Sequence, residues 1–182
     1  MKYKKLHIIG GPGSGKTYCA RQLSKKWDID HFDLDNIFWD KSVNHYGIKN
    51  SKNKREEELK KILKKDKYII EGVYYSWLKE SFKSADLIII LKPSVWLRDY
   101  RIIRRFIKRK LGLIKSKKET LRDLINLLKY NHSYDQNNLQ NALQIINKNN
   151  QNILFVKTYQ ELKEQLECYN ENKKDENNGN KL

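Results

Sequence analysis

Apolar residues along the chain alternate between short continuous runs and longer stretches in which they recur every three or four positions. Continuous runs are typical of strands in a parallel sheet covered on both faces, and the spaced pattern is typical of amphipathic helices. The predicted strands are Leu6–Ile9, Asp30–Asp35, Tyr68–Glu71, Ala85–Leu91 and Ile153–Lys157. The predicted helices are Lys16–Lys26, Arg55–Lys64, Val95–Lys110, Glu119–Asn131, Gln136–Asn147 and Gln160–Tyr169. This alternation predicts an α/β fold in which helices flank a parallel sheet.

The length of 182 residues predicts a single domain with a full core. We assign that domain to residues 1–169. A region without strand signals, at about 109–150, is expected to form either a helical lid or simple helical cover. Residues 170–182 have no apolar periodicity and are predicted to be a disordered tail.

The chain carries 38 Lys and Arg residues against 22 Asp and Glu residues, a net charge of +16. An anionic partner explains this excess, and phosphate is the simplest candidate. A general lysine-rich bias of the source proteome explains it equally well, because the lysines are spread along the whole sequence.

The two cysteines, Cys19 and Cys168, form no CxxC pair, and the four histidines show no ligand spacing. Neither a disulfide framework nor a zinc site is therefore indicated. The apolar runs are too short to span a bilayer, and the N-terminus lacks the features of a signal peptide. We expect a cytoplasmic protein with no membrane partner.

The segment GGPGSGKT lies between the first predicted strand and the first predicted helix, and it matches the pattern GxxxxGK[ST]. In this pattern successive backbone N–H groups and the helix N-terminus form an anion site that larger side chains would block. Lys16 adds a charge for the β- and γ-phosphates, and the Thr17 hydroxyl is a ligand for Mg²⁺. The predicted nucleotide-binding residues are Gly10, Gly11, Pro12, Gly13, Ser14, Gly15, Lys16 and Thr17. A glycine-rich turn that matches by chance is the alternative.

Two carboxylates follow in HFDLDNIFWD. In an extended strand Asp33 and Asp35 would face the same side, at the carboxyl end where ligands bind to parallel sheets. Close carboxylates repel each other unless a cation or a proton lies between them, so Mg²⁺ or a substrate hydroxyl is the expected occupant. The alternative is that Asp35 caps a following turn.

A third acidic position comes from YIIEGVYYSWL, where a strand ends in Glu71 and Gly72. A carboxylate at this point can hold Mg²⁺ through water or orient a nucleophile. For the aromatic residues that follow, Tyr74, Tyr75 and Trp77, packing is the favoured interpretation, and lining of a substrate pocket is the alternative.

Five arginines fall within twelve residues of the predicted helix Val95–Lys110. They are Arg98, Arg101, Arg104, Arg105 and Arg109. Like charges at such spacing repel, and a polyphosphate would relieve the repulsion. A solvated basic face and a tract for nucleic-acid phosphates are the alternatives.

Taken in order, GGPGSGKT, LDNIFW, IIEG, ADLIIIL and RIIRRF resemble the small P-loop kinases related to adenylate kinase and shikimate kinase. More closely, they resemble the subgroup known as DNA topology modulation proteins, or adenylate-kinase-related kinases. The resemblance covers Lys2–Leu166. It implies a P-loop NTPase fold with a five-stranded parallel sheet in the order 2-3-1-4-5, an ATP site and a helical lid.

The resemblance also implies roles for individual residues. Arg101 matches an arginine that packs on the adenine side of ATP, and Arg105 matches one that contacts phosphates. Thr158 and Tyr159 would border the adenine. Asp33 matches a carboxylate that serves Mg²⁺ together with Thr17, and Asp35 matches one that serves the acceptor hydroxyl. The implied catalytic residues are Lys16, Asp35, Arg101 and Arg105.

Two departures leave the acceptor open. EGVYY stands where adenylate kinases have DGFPR, and the triple-glycine acceptor motif of shikimate kinases is absent. The sequence therefore predicts an ATP-binding kinase that transfers the γ-phosphate of Mg·ATP to a small acceptor, with nucleosides and nucleotides as candidates. A nucleotide-gated nucleic-acid-binding protein without phosphotransfer is the alternative, and a regulatory nucleotide-binding protein is a third hypothesis.

Overall fold

The computed structural model describes residues 3–40, 48–114, 119–148 and 152–167. Within these ranges the strands are β1 Lys5–Ile9, β2 His31–Asp33, β3 Tyr68–Gly72, β4 Leu87–Leu91 and β5 Ile153–Val156. The helices are α1 Lys16–Trp27, α2 Asp35–Phe38, α3 Lys52–Leu63, α4 Lys79–Ser84, α5 Val95–Lys110, α6 Leu121–Tyr134, α7 Asn138–Asn147 and α8 at 159–167.

The five strands form one parallel sheet in the order β2-β3-β1-β4-β5. This confirms both the α/β fold class and the strand order that the resemblance implied. Ile9 of β1 pairs with Gly72 of β3 and with Ile90 of β4, so these strands end at the same edge. Asp33 pairs with Glu71, which brings both carboxylates to that edge.

Two buried clusters cover the two faces of the sheet. Successive residues of β4 alternate between them, since Ile88 and Ile90 pack in one cluster and Ile89 and Leu91 in the other. A strand buried on both sides cannot show a polar face. This explains the uninterrupted apolar run LIIIL and confirms the sequence interpretation.

The second strand is shorter than predicted. β2 ends at Asp33 and Asp35 begins α2, so the expectation that both carboxylates face one side of a strand is wrong. The backbone N–H of Asp35 donates to the Asp33 Oδ1 at 2.9 Å. This local bond bends the chain where strand periodicity would extend it. The alternative considered for Asp35 was a capping role, but the side chain that caps the turn is that of Asp33.

Helices α6 and α7 account for most of the region considered as a lid. Tyr134 at the end of α6, and Leu139, Ala142 and Ile146 of α7, are buried in the core. These residues are therefore part of the core, and closure of a lid at about 109–150 stays a prediction. Residues 115–118, and the predicted tail at 170–182, lie outside the described residues. In the described ranges, no helix is long and apolar enough to cross a bilayer.

Candidate nucleotide and acceptor site

The loop between β1 and α1 has the backbone conformation of a phosphate-binding loop. Gly13 and Gly15 have φ of 72° and 102°, in the left-handed region that favours glycine. The N–H of Ser14 donates to the Gly11 carbonyl at 3.2 Å, and Gly15 is the N-cap of α1. The loop thus turns tightly into the helix N-terminus, as an anion site requires.

The glycines also allow helix α5 to pack closely behind the loop. A Cβ added at Gly11 would lie 2.2 Å from Nη1 of Arg98, and one at Gly13 would lie 2.6 Å from the Arg98 carbonyl oxygen. Close approach of a ligand, the reason for the glycines predicted from the sequence, is therefore only part of the explanation. Part of the missing side-chain volume is filled by the protein itself.

Lys16 folds back over the loop and is nearly buried. Its Nζ donates to the Gly11 carbonyl at 3.0 Å. Burial lowers the pKa of the ammonium group, and the carboxylates of Glu71 and Asp35 oppose that shift. The cation is therefore held in a desolvated position, where its attraction for an anion is little screened.

Glu71 is only 2% exposed and accepts a 2.5 Å hydrogen bond at Oε1 from the Thr17 hydroxyl. Burial raises the pKa of this carboxyl to about 7, against the lowering effect of Lys16. Asp33 and Asp35 raise it further. The sequence left open whether Glu71 or Asp33 is the main acid beside the predicted Mg²⁺ site. Glu71 is the one that is hydrogen-bonded to Thr17, the predicted Mg²⁺ ligand.

Asp35 lies at the opposite end of this acidic group, where the Tyr74 hydroxyl donates to its Oδ1 at 2.6 Å. Burial and the Asp35 charge raise the pKa of Tyr74, so the phenol stays a donor at neutral pH. Burial also raises the pKa of Asp33, and the neighbouring Asp35 adds to that shift.

Tyr74 lines the cavity, a position that the sequence analysis gave only as the alternative to packing. The predicted packing role is confirmed, since its ring stacks on Phe38 at 4.3 Å between centroids. The contact with Asp35 is additional. A signal for it exists in the sequence: Tyr74 follows the end of β3 by two residues, so it emerges at the same sheet edge as Glu71.

The arginines of α5 divide by helix face. Nη1 of Arg101 donates to the carbonyls of Gly13, at 3.3 Å, and Ser14, at 2.9 Å. Arg101 and Arg105 both line the cavity above the loop, and Arg109, which also lines it, pairs with Glu119. Arg104 is exposed to solvent.

Arg98 contradicts the phosphate interpretation of the arginine row. Its side chain is 1% exposed and forms a two-pronged ion pair with Asp135, at 2.8 and 2.9 Å. The reason is periodicity: Arg98, Ile102 and Phe106 follow each other at four-residue intervals and form the buried side of α5. Arg98 is a packing residue that joins α5 to the end of α6.

Thr158 lies outside the set of described residues that line the cavity. Its Oγ1 accepts from the backbone N–H of Glu161 at 3.1 Å, and Tyr159 packs edge-on against Tyr18 at 5.5 Å. That Thr158 and Tyr159 border the adenine stays a prediction.

A single cavity of about 870 Å³ runs from the phosphate loop, past the three carboxylates, to helix α6. Beyond Asp35 its walls include the aromatic rings of Trp39, Tyr74 and Tyr130. Lys49 also lines it, with its Nζ 5.5 Å from the centre of the Phe38 ring. This volume is in the range of ligand pockets.

The donors at one end of the cavity fit a polyphosphate. They are the loop amides, the Lys16 ammonium and the guanidinium groups of Arg101 and Arg105. The Ser14 Oγ, in the same loop, is buried with no hydrogen-bond partner among the described residues. Residues suited to Mg²⁺ are also present. Thr17 is hydrogen-bonded to Glu71, and Asp33 is the residue that pairs with Glu71 on the neighbouring strand. In the described part of the chain, no three acidic, histidine or cysteine side chains form a metal cage by themselves. This agrees with the usual coordination of Mg²⁺ in nucleotide sites, where most ligands come from phosphate and water.

Comparison with known proteins establishes the fold and leaves the family open. No family model matches the chain. The uncharacterized protein YqaC of Bacillus subtilis (strain 168) is 31% identical over 108 residues, which cover 56% of this chain and 54% of that protein. The chain thus spans about half the length of this curated relative.

Among solved structures, shikimate kinase from Acinetobacter baumannii in complex with shikimate superimposes with a TM-score of 0.60 and 15% identity. The match covers 93% of this chain and 94% of that one. The protein therefore shares the fold of this structure, a five-stranded parallel sheet flanked by helices. The more specific resemblance to DNA topology modulation proteins is not confirmed by these comparisons.

Proposed function

We propose that the protein is an ATP-dependent phosphotransferase that moves the γ-phosphoryl group of Mg·ATP to a small acceptor, with nucleosides and nucleotides as the first acceptor classes to test. The observation that carries the proposal is the continuous cavity that joins the phosphate loop to Asp35. A protein that only binds nucleotide has no need of a carboxylate-bearing compartment beyond the phosphates. An enzyme that brings two substrates together does need one.

Bound Mg·ATP supplies the activated phosphoryl group and the cation that offsets its charge. The protein's part is to hold and orient. The loop amides, Lys16, Arg101 and Arg105 bind the phosphates, and the arginines offset the charge that develops on the transferred group. Thr17 and Asp33 hold Mg²⁺, and Glu71 fixes the Thr17 hydroxyl through its hydrogen bond.

Asp35 acts as the base for the acceptor. Because Tyr74 donates to Oδ1, Oδ2 is the oxygen that takes the proton lost by the acceptor hydroxyl. The aromatic walls beyond Asp35 limit the entry of water, which favours transfer to the acceptor over hydrolysis.

The experiment that tests the proposal is a screen of nucleosides, nucleotides and small hydroxy metabolites for acceptor-dependent ADP release, with ATP alone as the control. For the active acceptor, Lys16→Ala is expected to abolish turnover without loss of the fold, because it removes the cation that reaches the phosphates. Lys25→Ala, an exposed lysine on the same helix, is the matched control and should turn over normally. Near-normal turnover by Lys16→Ala would refute the site.

A further inference from the structure

Helix α5 exposes a continuous apolar stripe on the side that faces away from the core. Trp96, Tyr100, Ile103 and Ile107 follow each other at intervals of four, three and four residues, which places them on one helix face. Trp96 is 74% exposed and Tyr100 is 61% exposed. Leu111, just beyond the helix end, is exposed as well and extends the stripe.

Helix α6 carries a second stripe beside the first. Leu121, Ile125 and Leu128 follow at helical spacing, and Leu121 is 67% exposed. The two helices are antiparallel neighbours, since the Trp96 ring meets that of His132 at 5.7 Å and Arg109 pairs with Glu119 at the other end. A shallow groove of about 550 Å³ runs along the α6 stripe.

We call the two stripes together the outer face. Its exposed members are Trp96, Tyr100, Ile103, Ile107, Leu121 and Ile125, and Leu128 is half-buried among them. Monomeric soluble proteins rarely leave so many large apolar side chains contiguous and exposed. The arrangement therefore indicates a surface that another molecule covers.

Cations border the outer face on both sides. Arg104 and Lys108 each follow a stripe residue of α5 by one position, and Arg122 and Lys129 do the same on α6, so they lie along the two outer margins. The acids nearby are engaged within the protein. Asp99 accepts from Asn131 at 2.7 Å and is bonded to His132 at 2.6 Å, while Glu119 pairs with Arg109.

The size and charge of the outer face argue against a second copy of the chain as its occupant. The 16 residues of α5 give a length of about 24 Å, and two adjacent helices are about 20 Å wide. The face therefore covers roughly 480 Å², against about 800 Å² per partner in a stable complex. In a symmetric dimer the margins would also bring cations close to cations, which repel.

Nucleic acid would match the cations but leave the aliphatic centre uncovered. An anionic bilayer matches both parts, because its headgroups attract Lys and Arg while its interface accepts Trp, Tyr and aliphatic side chains. We infer that the outer face docks the protein on the surface of an anionic phospholipid bilayer. This goes beyond the proposed phosphotransfer and departs from the sequence expectation of no membrane partner. It concerns surface association, which needs no spanning helix.

Docking in this way leaves the candidate site accessible. Arg101 and Arg105 lie on a different face of α5 from Ile103 and Ile107, and they line the cavity. The lipid and the nucleotide would therefore contact different faces of the same helix.

The test uses the full chain and vesicles of phosphatidylcholine, either alone or in equal mixture with phosphatidylglycerol, with bound protein measured by co-sedimentation. The protein is expected to bind the mixed vesicles and not those of pure phosphatidylcholine, and added salt should weaken this binding. Ile103→Gln/Ile107→Gln should lower the partition coefficient about tenfold or more. Arg104→Gln/Lys108→Gln should lower it about fivefold for each cation removed. Lys60→Gln/Lys64→Gln, at the C-terminal end of α3, makes the same change in net charge away from the outer face and should have little effect.

A spectroscopic readout locates the contact. Brominated phosphatidylglycerol should quench tryptophan fluorescence of the bound protein, and most of that quenching should disappear in Trp96→Phe. The inference is overturned if mixed vesicles bind no protein, or if the α3 control pair loses as much binding as the α5 cation pair. It is also overturned if sedimentation equilibrium shows a dimer that Ile103→Gln/Ile107→Gln dissociates, since a second copy would then cover the face.

Discussion

His7 lies in the middle of β1 and is completely buried against α4. Its Nδ1 is hydrogen-bonded to the Ser81 hydroxyl at 2.9 Å, and its ring packs on Phe82 at 4.6 Å. Burial lowers the pKa of the imidazole to about 3. The native protein therefore holds this histidine neutral at every pH at which it is expected to work.

The stability of the protein should depend on pH through His7. Between pH 6.5 and about 3 the unfolded chain binds a proton at this histidine and the native protein does not, so acidification through this window favours unfolding. The free energy of unfolding should fall by up to about 1.4 kcal/mol for each pH unit. His7→Gln should remove this dependence, as measured by urea unfolding at about pH 7.5 and about pH 5.5.

Glu71 contributes the opposite slope, because its raised pKa lets the native state bind a proton between pH 4.5 and about 7. The quantity to compare is therefore the difference in the free energy of unfolding between wild type and His7→Gln at each pH. His31→Gln, at a partly exposed histidine, is the control. An identical pH dependence in wild type and His7→Gln would contradict the assignment.

Tyr74 is the second residue whose effect can be isolated. Removing its hydroxyl in Tyr74→Phe leaves Asp35 without the donor that orients it, while the ring can still stack on Phe38. We expect kcat for the active acceptor to fall about tenfold to a hundredfold. The KM for ATP should stay unchanged, because the Tyr74 hydroxyl is bonded to Asp35 and not to the phosphate loop.

Tyr75→Phe offers a matched control for steady-state kinetics. Its hydroxyl accepts from Asn141 at 3.2 Å and does not contact Asp35. If both variants lose activity equally, or if Tyr74→Phe keeps full activity, Tyr74 does not position Asp35.

At the scale of elements, helix α5 links the candidate site to the helical cover. One side of it packs on the phosphate loop, and Arg98 joins it to Asp135 at the end of α6. Such a contact fixes the position of Arg101, which donates to the loop carbonyls from the next helical turn. The site is therefore held by helix packing as well as by the loop.

Breaking this contact should destabilise the whole protein. Arg98→Ala leaves Asp135 without its partner and opens space against Gly11, so the free energy of unfolding should fall by about 3–5 kcal/mol. Arg104→Ala, on the exposed side of the same helix, should change it by less than about 0.5 kcal/mol. Urea unfolding of the two variants at neutral pH makes the comparison, and a cost below 1 kcal/mol for Arg98→Ala would show that the pair is dispensable.

Strand prediction succeeded where burial is complete and failed where a side chain competes with the backbone ladder. LIIIL of β4 is apolar because both faces are covered, and this is legible in the sequence. HFDLD looks like a continuing strand by alternation alone. The Asp33 carboxylate ends this strand, because it accepts a hydrogen bond from the backbone N–H of Asp35. Helix α4 was not predicted, because its six residues are too few to show a helical repeat of apolar positions.

At the scale of the whole molecule, the net charge of +16 keeps nucleic-acid binding as the alternative function. We expect the protein to bind duplex DNA at low salt through this charge alone. Affinity should fall at least about a hundredfold between about 50 mM and about 200 mM salt. It should be the same with and without Mg·ATP, as measured by fluorescence anisotropy.

Lys16→Ala serves as the control for that measurement. If DNA affinity persists at the higher salt, responds to Mg·ATP, and loses that response in Lys16→Ala, the nucleotide-gated alternative would replace the phosphotransferase proposal. A response to salt alone leaves the charge as a general property of the surface.

The sequence by itself determined the five strands, the six longer helices, the parallel α/β class and the glycine-rich loop between β1 and α1. These features depend on neighbouring residues: an apolar run fills a strand, and glycine permits the torsions of Gly13 and Gly15. The tertiary structure decided the function of each charged or aromatic side chain. Tyr74 reaches Asp35 across 39 positions, and Arg98 reaches Asp135 across 37. Periodicity assigns a residue to a helix face, but what that face meets depends on how distant elements pack, and this is why one arginine of α5 is buried in the protein while others line the cavity.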